Sequence, residues 1–133
     1  MQKVVAHLRD GRVLKGTSLD VAPNRPTCHV RPPDGPAVEV RLSDLKALFF
    51  VRTLEGDAKR DEELALDPED RRTVGSTVVR LTFGDGEEMI GLTNRYPPNQ
   101  PFFFIVPVDP ESNNVRILIN RSAVVAMDPV LAV

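Results

Sequence analysis

Alternation of apolar and polar residues with a period of two marks this chain at two places. Val4, Ala6 and Leu8 alternate with Val5, His7 and Arg9, while Val79, Leu81 and Phe83 alternate with Arg80 and Thr82. Each pattern predicts a half-buried strand, because successive strand side chains point to opposite faces. Asp10-Gly11 and Asp85-Gly86 follow, and predict tight hairpin turns, since both residue types tolerate positive φ. The next strand in each place carries Leu14 or Met89 inward, with Gly16 or Gly91 on the same face. A glycine there suits a sharply bent strand, where a side chain would crowd the interior. Cys28 and Val30, then Phe103 and Ile105, mark a third strand, and Val38-Val40-Leu42 and Val115-Ile117-Ile119 a fourth. "DLKALFFV" and "SAVVAM" close the two series. Helix caps and a 3.6-residue period are absent from both.

The two series are copies of one another. "PNRPTCHVRPPDG" and "PNQPFFFIVPVDP" share a skeleton: Pro23, Asn24, Pro26, Pro32 and Asp34 return as Pro98, Asn99, Pro101, Pro107 and Asp109. The same offset of 75 residues pairs Val4 with Val79 and Gly16 with Gly91, and after Asp34/Asp109 the second copy is read as gaining two residues. An ordered series of this kind indicates internal duplication. The repeats occupy residues 1–52 and 76–133, with a connector at 53–75. The fold expected is mainly β: two tandem five-stranded small barrels, since short, strongly bent strands avoid open edges by curling up. In the connector, "GDAKRDEELALD" has the makings of a short helix pinned by Leu54, Leu64 and Leu66, but Pro68 prevents a long one. A solvated linker is the preferred reading.

Each repeat resembles the Sm-like (SH3-like) small β-barrel, the fold of RNA-binding Sm proteins. The likeness lies in "DGRVLKG", "LDVAPNRPTCHV" and "VEVRLSDLKALFF". Sm proteins carry an Asp and, four residues later, an Asn in the turn after the bent second strand; Asp20 and Asn24 keep that spacing. In the second repeat Asn99 remains, but the Asp position holds Arg95. The family's Arg-Gly signature before the last strand is replaced by "LSDLK" and "INRSA". The whole chain is also similar to a family of bacterial domains built on DGR-x-x-x-G…NRP…DLKA-x-FFVR. The Sm resemblance implies base contacts by Asn24 and Asn99, with Arg25, Arg95 and Gln100 nearby for RNA.

Composition narrows these options. At 133 residues with 41% hydrophobic content the chain can build a packed core. A net charge of -2 lacks the long-range attraction of a non-specific nucleic-acid binder. Cys28 is the only cysteine, so no internal disulfide forms, and a reducing cytoplasm is the expected setting. "FFFIVPV", the longest strongly apolar run, is too short to span a bilayer, and no membrane role is expected.

Candidate chemistry is sparse. Cys28 and His29 are adjacent on a strand and point to opposite faces, so they cannot chelate one metal ion. The carboxylates Asp57, Asp61, Glu62, Glu63, Asp67, Glu69 and Asp70 lie in a polar connector, without the shelter that general acid–base work needs. No phosphate loop, GxSxG elbow or HExxH is present. No catalysis, cofactor or metal is therefore expected. A cyclic-dinucleotide-responsive barrel of the PilZ kind is a further alternative through Arg25, Arg31 and Arg41, although that family's arginine arm and its D/N-x-S-x-x-G strand are missing.

An asymmetry between the repeats carries the functional expectation. Outward positions Lys15, Thr17, Thr27, His29 and Arg41 of the first are polar, whereas Ile90, Leu92, Phe102, Phe104 and Leu118 are read as their apolar partners. A strand apolar on both faces must bury its outer face against something. That is the other barrel, a second chain, or another protein. Phe49 and Phe50 are adjacent and cannot face one core. The expected function is a non-catalytic, cytoplasmic protein-binding adaptor in a bacterial signalling or regulatory assembly. An Sm-like RNA binder is the alternative.

Overall fold

A computed structural model describes residues 1–56 and 75–130. The possible connector helix, with the seven connector carboxylates, Leu64, Leu66 and Pro68, lies outside the described residues. The first repeat comprises β1 (Gln2–Leu8), β2 (Val13–Ser18), β3 (Thr27–Val30), β4 (Val38–Arg41) and β5 (Leu45–Val51). The second comprises β6 (Thr77–Phe83), β7 (Glu88–Thr93), β8 (Phe102–Pro107), β9 (Asn114–Asn120) and β10 (Val124–Pro129). A 3-10 turn precedes the last strand of each, at Leu42–Asp44 and Arg121–Ala123. The fold is mainly β, and the described residues contain no α-helix.

Each hairpin between the first two strands is built by one glycine. Gly11 and Gly86 have φ of 94° and 92°, and among the described residues no non-glycine residue has positive φ. The Asp of each Asp-Gly pair is therefore not left-handed, contrary to the simplest reading of the sequence. Gly11 N donates to the Leu8 carbonyl and Leu8 N to the Arg12 carbonyl, which is a three-residue loop ending in a glycine bulge. Asp10 and Asp85 act through their carboxylates instead, each accepting from the backbone amide two residues on at 3.0 Å.

Backbone pairing does not divide into two separate closures. Eight strands form one antiparallel sheet in the order β10-β6-β7-β8-β9-β5-β1-β2, and β3-β4 form a ribbon. A single bridge, Thr17 with Arg31, ties the ribbon to β2. The repeats join where β5 pairs with β9, matching Ala47 to Ile119, Leu48 to Leu118 and Phe49 to Ile117. A barrel closed on itself would have left no such seam. The seam forms because β5 and β9 are apolar on both faces, and pairing them covers both at once.

Cross-strand register corrects the alignment of the later strands. Cys28 faces Val40 as Phe103 faces Ile119. His7 faces Ala47 as Thr82 faces Ala126. Val38 and Val40 thus correspond to Ile117 and Ile119, an offset of 79, so the second repeat gains four residues after its turn rather than two. Glu39, not Arg41, is the counterpart of Leu118.

Two cores lie on opposite faces of the central strands. One contains Val4, Ala6, Cys28, Val30, Val40, Leu42, Leu45, Leu48 and Phe50 of the first repeat, completed by Leu118, with Phe102 and Phe104 packed against it. The other contains Val79, Leu81, Phe83, Phe103, Ile105, Ile117 and Ile119 of the second, completed by Val5, Ala47, Phe49 and Val51. Adjacent Phe49 and Phe50 therefore serve different cores. Ile90 and Leu92 belong to neither cluster: Leu92 is buried, pairing with Val78 and Val106, and Ile90 is half-buried opposite Arg80.

Polar groups seal the seam. Asn120 Nδ2 donates to the Leu45 carbonyl at 2.8 Å in a buried setting. Lys46, only 12% exposed, reaches Asp85 and Glu87 at 2.7 Å each, and its ammonium lies 4.8 Å from the Phe83 ring centroid. Burial opposes the Lys46 charge, but the hydrogen bonds to Asp85 and Glu87 outweigh it and raise its pKa. The Arg116 guanidinium lies over both Phe50 and Phe104, at 4.3 and 4.6 Å from their centroids. A single cation thus spans aromatic rings from both repeats.

Two stability predictions follow from this packing. A Cβ on Gly16 would overlap the Arg31 carbonyl, whereas one on Gly91 would meet mainly the Ile105 side-chain end at 2.9 Å and the Val106 carbonyl at 3.0 Å. In thermal melts Gly16→Ala is expected to cost roughly 1–3 kcal/mol, and more than Gly91→Ala. Replacing Phe102 and Phe104 by Ser is expected to cost roughly 1–2 kcal/mol each, below the figure for full burial, because both are half-buried. Unchanged melting of that double variant would contradict the shared-core description.

Candidate functional site

Two of the surface recesses bear on ligand binding. The first is a cleft of about 320 Å³ lined by Thr93, Asn94, Arg95, Pro98, Asn99, Gln100 and Phe102–Phe104, with Pro23 from the other repeat. The second Pro-Asn-x-Pro turn builds its rim. Three of the expected RNA contacts, Arg95, Asn99 and Gln100, meet here. Asn24 and Arg25 do not line it, although they follow Pro23 directly and are exposed. The first turn is closed by Arg25 N donating to the Ala22 carbonyl at 3.2 Å, rather than by the Asn24 side chain. Arg25, Arg31 and Arg41 do not share a site. Arg31 borders a hollow with Lys3 and Pro32, and Arg41 pairs with Asp44 at 3.2 Å.

The aspartate of the Sm-like spacing has a bracing role. Asp20 accepts from the His29 backbone amide at 2.8 Å and from Ser18 Oγ at 3.1 Å, and meets His29 Nδ1 at 2.6 Å. It pins the loop after β2 to β3. In the second repeat that position is Arg95, which lines the cleft instead. Cys28 is fully buried in the first core, and burial pushes its thiol pKa to about 11, which makes it a packing residue and not a nucleophile. No group of three His, Cys, Asp or Glu side chains suited to a metal ion occurs among the described residues.

The second recess is a groove of about 460 Å³ beside β4, lined by Leu8, Val13, Leu14, Val38 and Val40, with Arg12, Glu39, Arg41 and Asp44 at its rim. Val13 and Val38 remain 50% and 41% exposed there. Among the described residues β4 pairs only with β3, so its other edge is open. Leu42 N donates to the Pro26 carbonyl, which makes that opposed pair a hydrogen-bonded one. By ladder alternation the amides of Glu39 and Arg41 then point to the open side. Reading the sequence alone missed this site.

Of the residues expected to form an apolar interface, Phe49, Phe50, Phe102, Phe104 and Leu118 all pack within the chain. What stays accessible is the open edge with its apolar groove and, separately, the polar cleft. The geometry is that of a two-repeat, mainly β scaffold with an apolar groove and a polar cleft on its surface. The chain belongs to a family of unknown function (DUF6982), whose model matches residues 1–131. No curated protein and no solved structure matches it. No helix among the described residues is long and apolar enough to cross a membrane.

The two histidines give a direct check of the site's electrostatics. Burial lowers the pKa of His7 below its ordinary 6.5, and the Asp20 hydrogen bond raises that of His29 above 6.5. The His29–Asp20 contribution to stability is therefore full below pH 6.5 and lost as pH rises through the folded value. For His7 the sign reverses: the neutral ring is favoured above 6.5, and stability falls on acidification. A proton NMR titration is expected to resolve one midpoint on each side of 6.5. Asp20→Asn is expected to return only the upper one toward 6.5.

Proposed function

We propose that the chain is a non-catalytic protein-binding adaptor, built from two small barrels of the Sm-like, SH3-like kind, acting in a regulatory assembly. The barrel reading is supported by strand order, which is β5-β1-β2-β3-β4 in the first repeat, with Thr17–Arg31 bridging β2 to β3, and β10-β6-β7-β8-β9 in the second. The adaptor reading rests on one observation: an open strand edge at β4 beside an apolar groove with two half-exposed valines. Backbone groups on such an edge offer hydrogen bonds to an incoming chain, and the groove offers apolar burial. β4 is already paired with β3 and buries Val40 in the first core, so less ordering is required of the protein itself.

Co-purification from the native cell tests the reading. One protein in stoichiometric amount is expected with wild type and is expected to be lost with Val38→Glu, a substitution at an exposed position. Capture that is indifferent to Val38→Glu would remove the groove from the proposal.

RNA is the second reading, favoured by Arg95, Asn99 and Gln100 meeting beside Phe102 in one cleft. With a net charge of -2, labelled single-stranded RNA is not expected to shift at physiological salt. A salt-sensitive shift abolished by Asn24→Ala with Asn99→Ala would transfer the conclusion to RNA.

A further inference from the structure

The duplication shows what the β4 groove is shaped to hold, because its counterpart in the second repeat is already filled. By the register above, Leu8, Leu14, Val38 and Val40 correspond to Phe83, Met89, Ile117 and Ile119. In the second repeat Phe83, Ile117 and Ile119 form one cluster with Val5, Ala47, Phe49 and Val51, and Met89 packs against it. The occupant there is an extended strand, β5, lying antiparallel on the edge of β9 with Ala47 opposite Ile119 and Phe49 opposite Ile117. The edge of β4 is the same edge of the other repeat, and among the described residues no strand lies on it.

A second copy of this chain fits poorly. The strand corresponding to β5 is β10, which would bring Ala126 opposite Val40 but Asp128 opposite Val38. Pro129 follows and lacks the amide an incoming strand needs. The outward residues that bury the seam within the chain, Phe102, Phe104 and Leu118, have the polar counterparts Thr27, His29 and Glu39. A head-to-tail contact between copies would bury an aspartate on a valine and leave no apolar outer face to cover it.

We propose, resting on the adaptor reading, that the groove binds an extended segment of another protein by strand addition to β4, antiparallel, with a small–basic–large apolar sequence at its centre. The small residue takes the place of Ala47, opposite Val40, and the large apolar residue that of Phe49, opposite Val38. Between them the segment faces Glu39, on the polar outer side, and an opposite charge across a strand pair is favoured there. The Glu39 carboxylate also lies 3.6 Å from His29 Nε2, which leaves it at the edge of that contact and accessible to a second cation. Further along, another apolar residue in the place of Val51 continues the alternation.

A synthetic peptide, Ser-Thr-Ala-Lys-Phe-Thr-Val-Ser with a fluorescent label, tests this by anisotropy and by amide shifts of the labelled full chain. Saturable binding is expected, with shifts centred on Glu39 and Arg41. Replacing the peptide's Phe and Val by Ser, or Val38 of the protein by Glu, is expected to weaken it at least tenfold. Exchanging its Lys for Glu is expected to weaken it several-fold. Val13→Glu supplies a second groove variant should Val38→Glu disturb folding, which circular dichroism reports. Absence of saturable binding at millimolar peptide, or binding indifferent to both groove variants, overturns the inference. So does a protein dimer, seen by sedimentation without peptide, that Val38→Glu dissolves. If a cellular partner is lost with Val38→Glu while the peptide fails, only the motif falls; if neither binds, the adaptor reading falls with it.

Discussion

The pairing of β5 with β9 is the constraint on which the remaining structure depends. It joins two repeats into one sheet, and it does so with strands that are apolar on both faces. Neither strand can satisfy itself within its own repeat. Phe49 and Val51 need the second core, while Leu118, Phe102 and Phe104 need the first. Each core is thus finished by residues of the other repeat, and the hydrophobic gain of folding one depends on the presence of both. Five-stranded units of this size bury little surface alone, so mutual completion is the stabilising device.

The seam also determines which parts of the surface remain for binding. Phe102, Phe104 and Leu118 of the second repeat pack against the first core, so much of their apolar surface is used within the chain. Duplication normally yields equivalent surfaces; here one copy of each surface is consumed by the contact and the other is left over. The leftover fourth-strand edge, β4, keeps an apolar floor. The leftover fifth strand, β10, carries Asp128 and Pro129, both of which discourage edge-to-edge pairing. The two ends of the scaffold thus differ: strand addition is proposed at β4, whereas Asp128 and Pro129 disfavour it at β10.

A similar division of labour separates the two turns. Asp20 braces the first loop against His29, leaving Asn24 and Arg25 in solvent. Arg95 replaces that brace in the second, and its loop is instead tied by Tyr96, whose hydroxyl donates to the Met127 carbonyl at 3.3 Å. A shared sequence skeleton therefore supports two different local surfaces.

Much of this was legible in the chain itself. The duplication, the first-strand faces of Val4/Ala6 and Val79/Leu81/Phe83, the glycine hairpins and the bent strands at Gly16 and Gly91 all follow from periodicity and from local steric rules. Those are properties of neighbouring residues, and a sequence displays neighbours. The double-sided apolar runs "ALFFV" and "FFFIV" showed that an outer face had to be covered, and the adjacent Phe49 and Phe50 that two cores were required. Which face met which could not be read, because strand pairing at long range depends on the register of the whole sheet. A four-residue insertion after the second turn makes Glu39, not Arg41, the counterpart of Leu118, and composition carries no mark of that shift. The β4 groove was hidden for the same reason: Leu8 and Val13 flank one hairpin but Val38 lies far along the chain, and only the folded sheet places them around one opening.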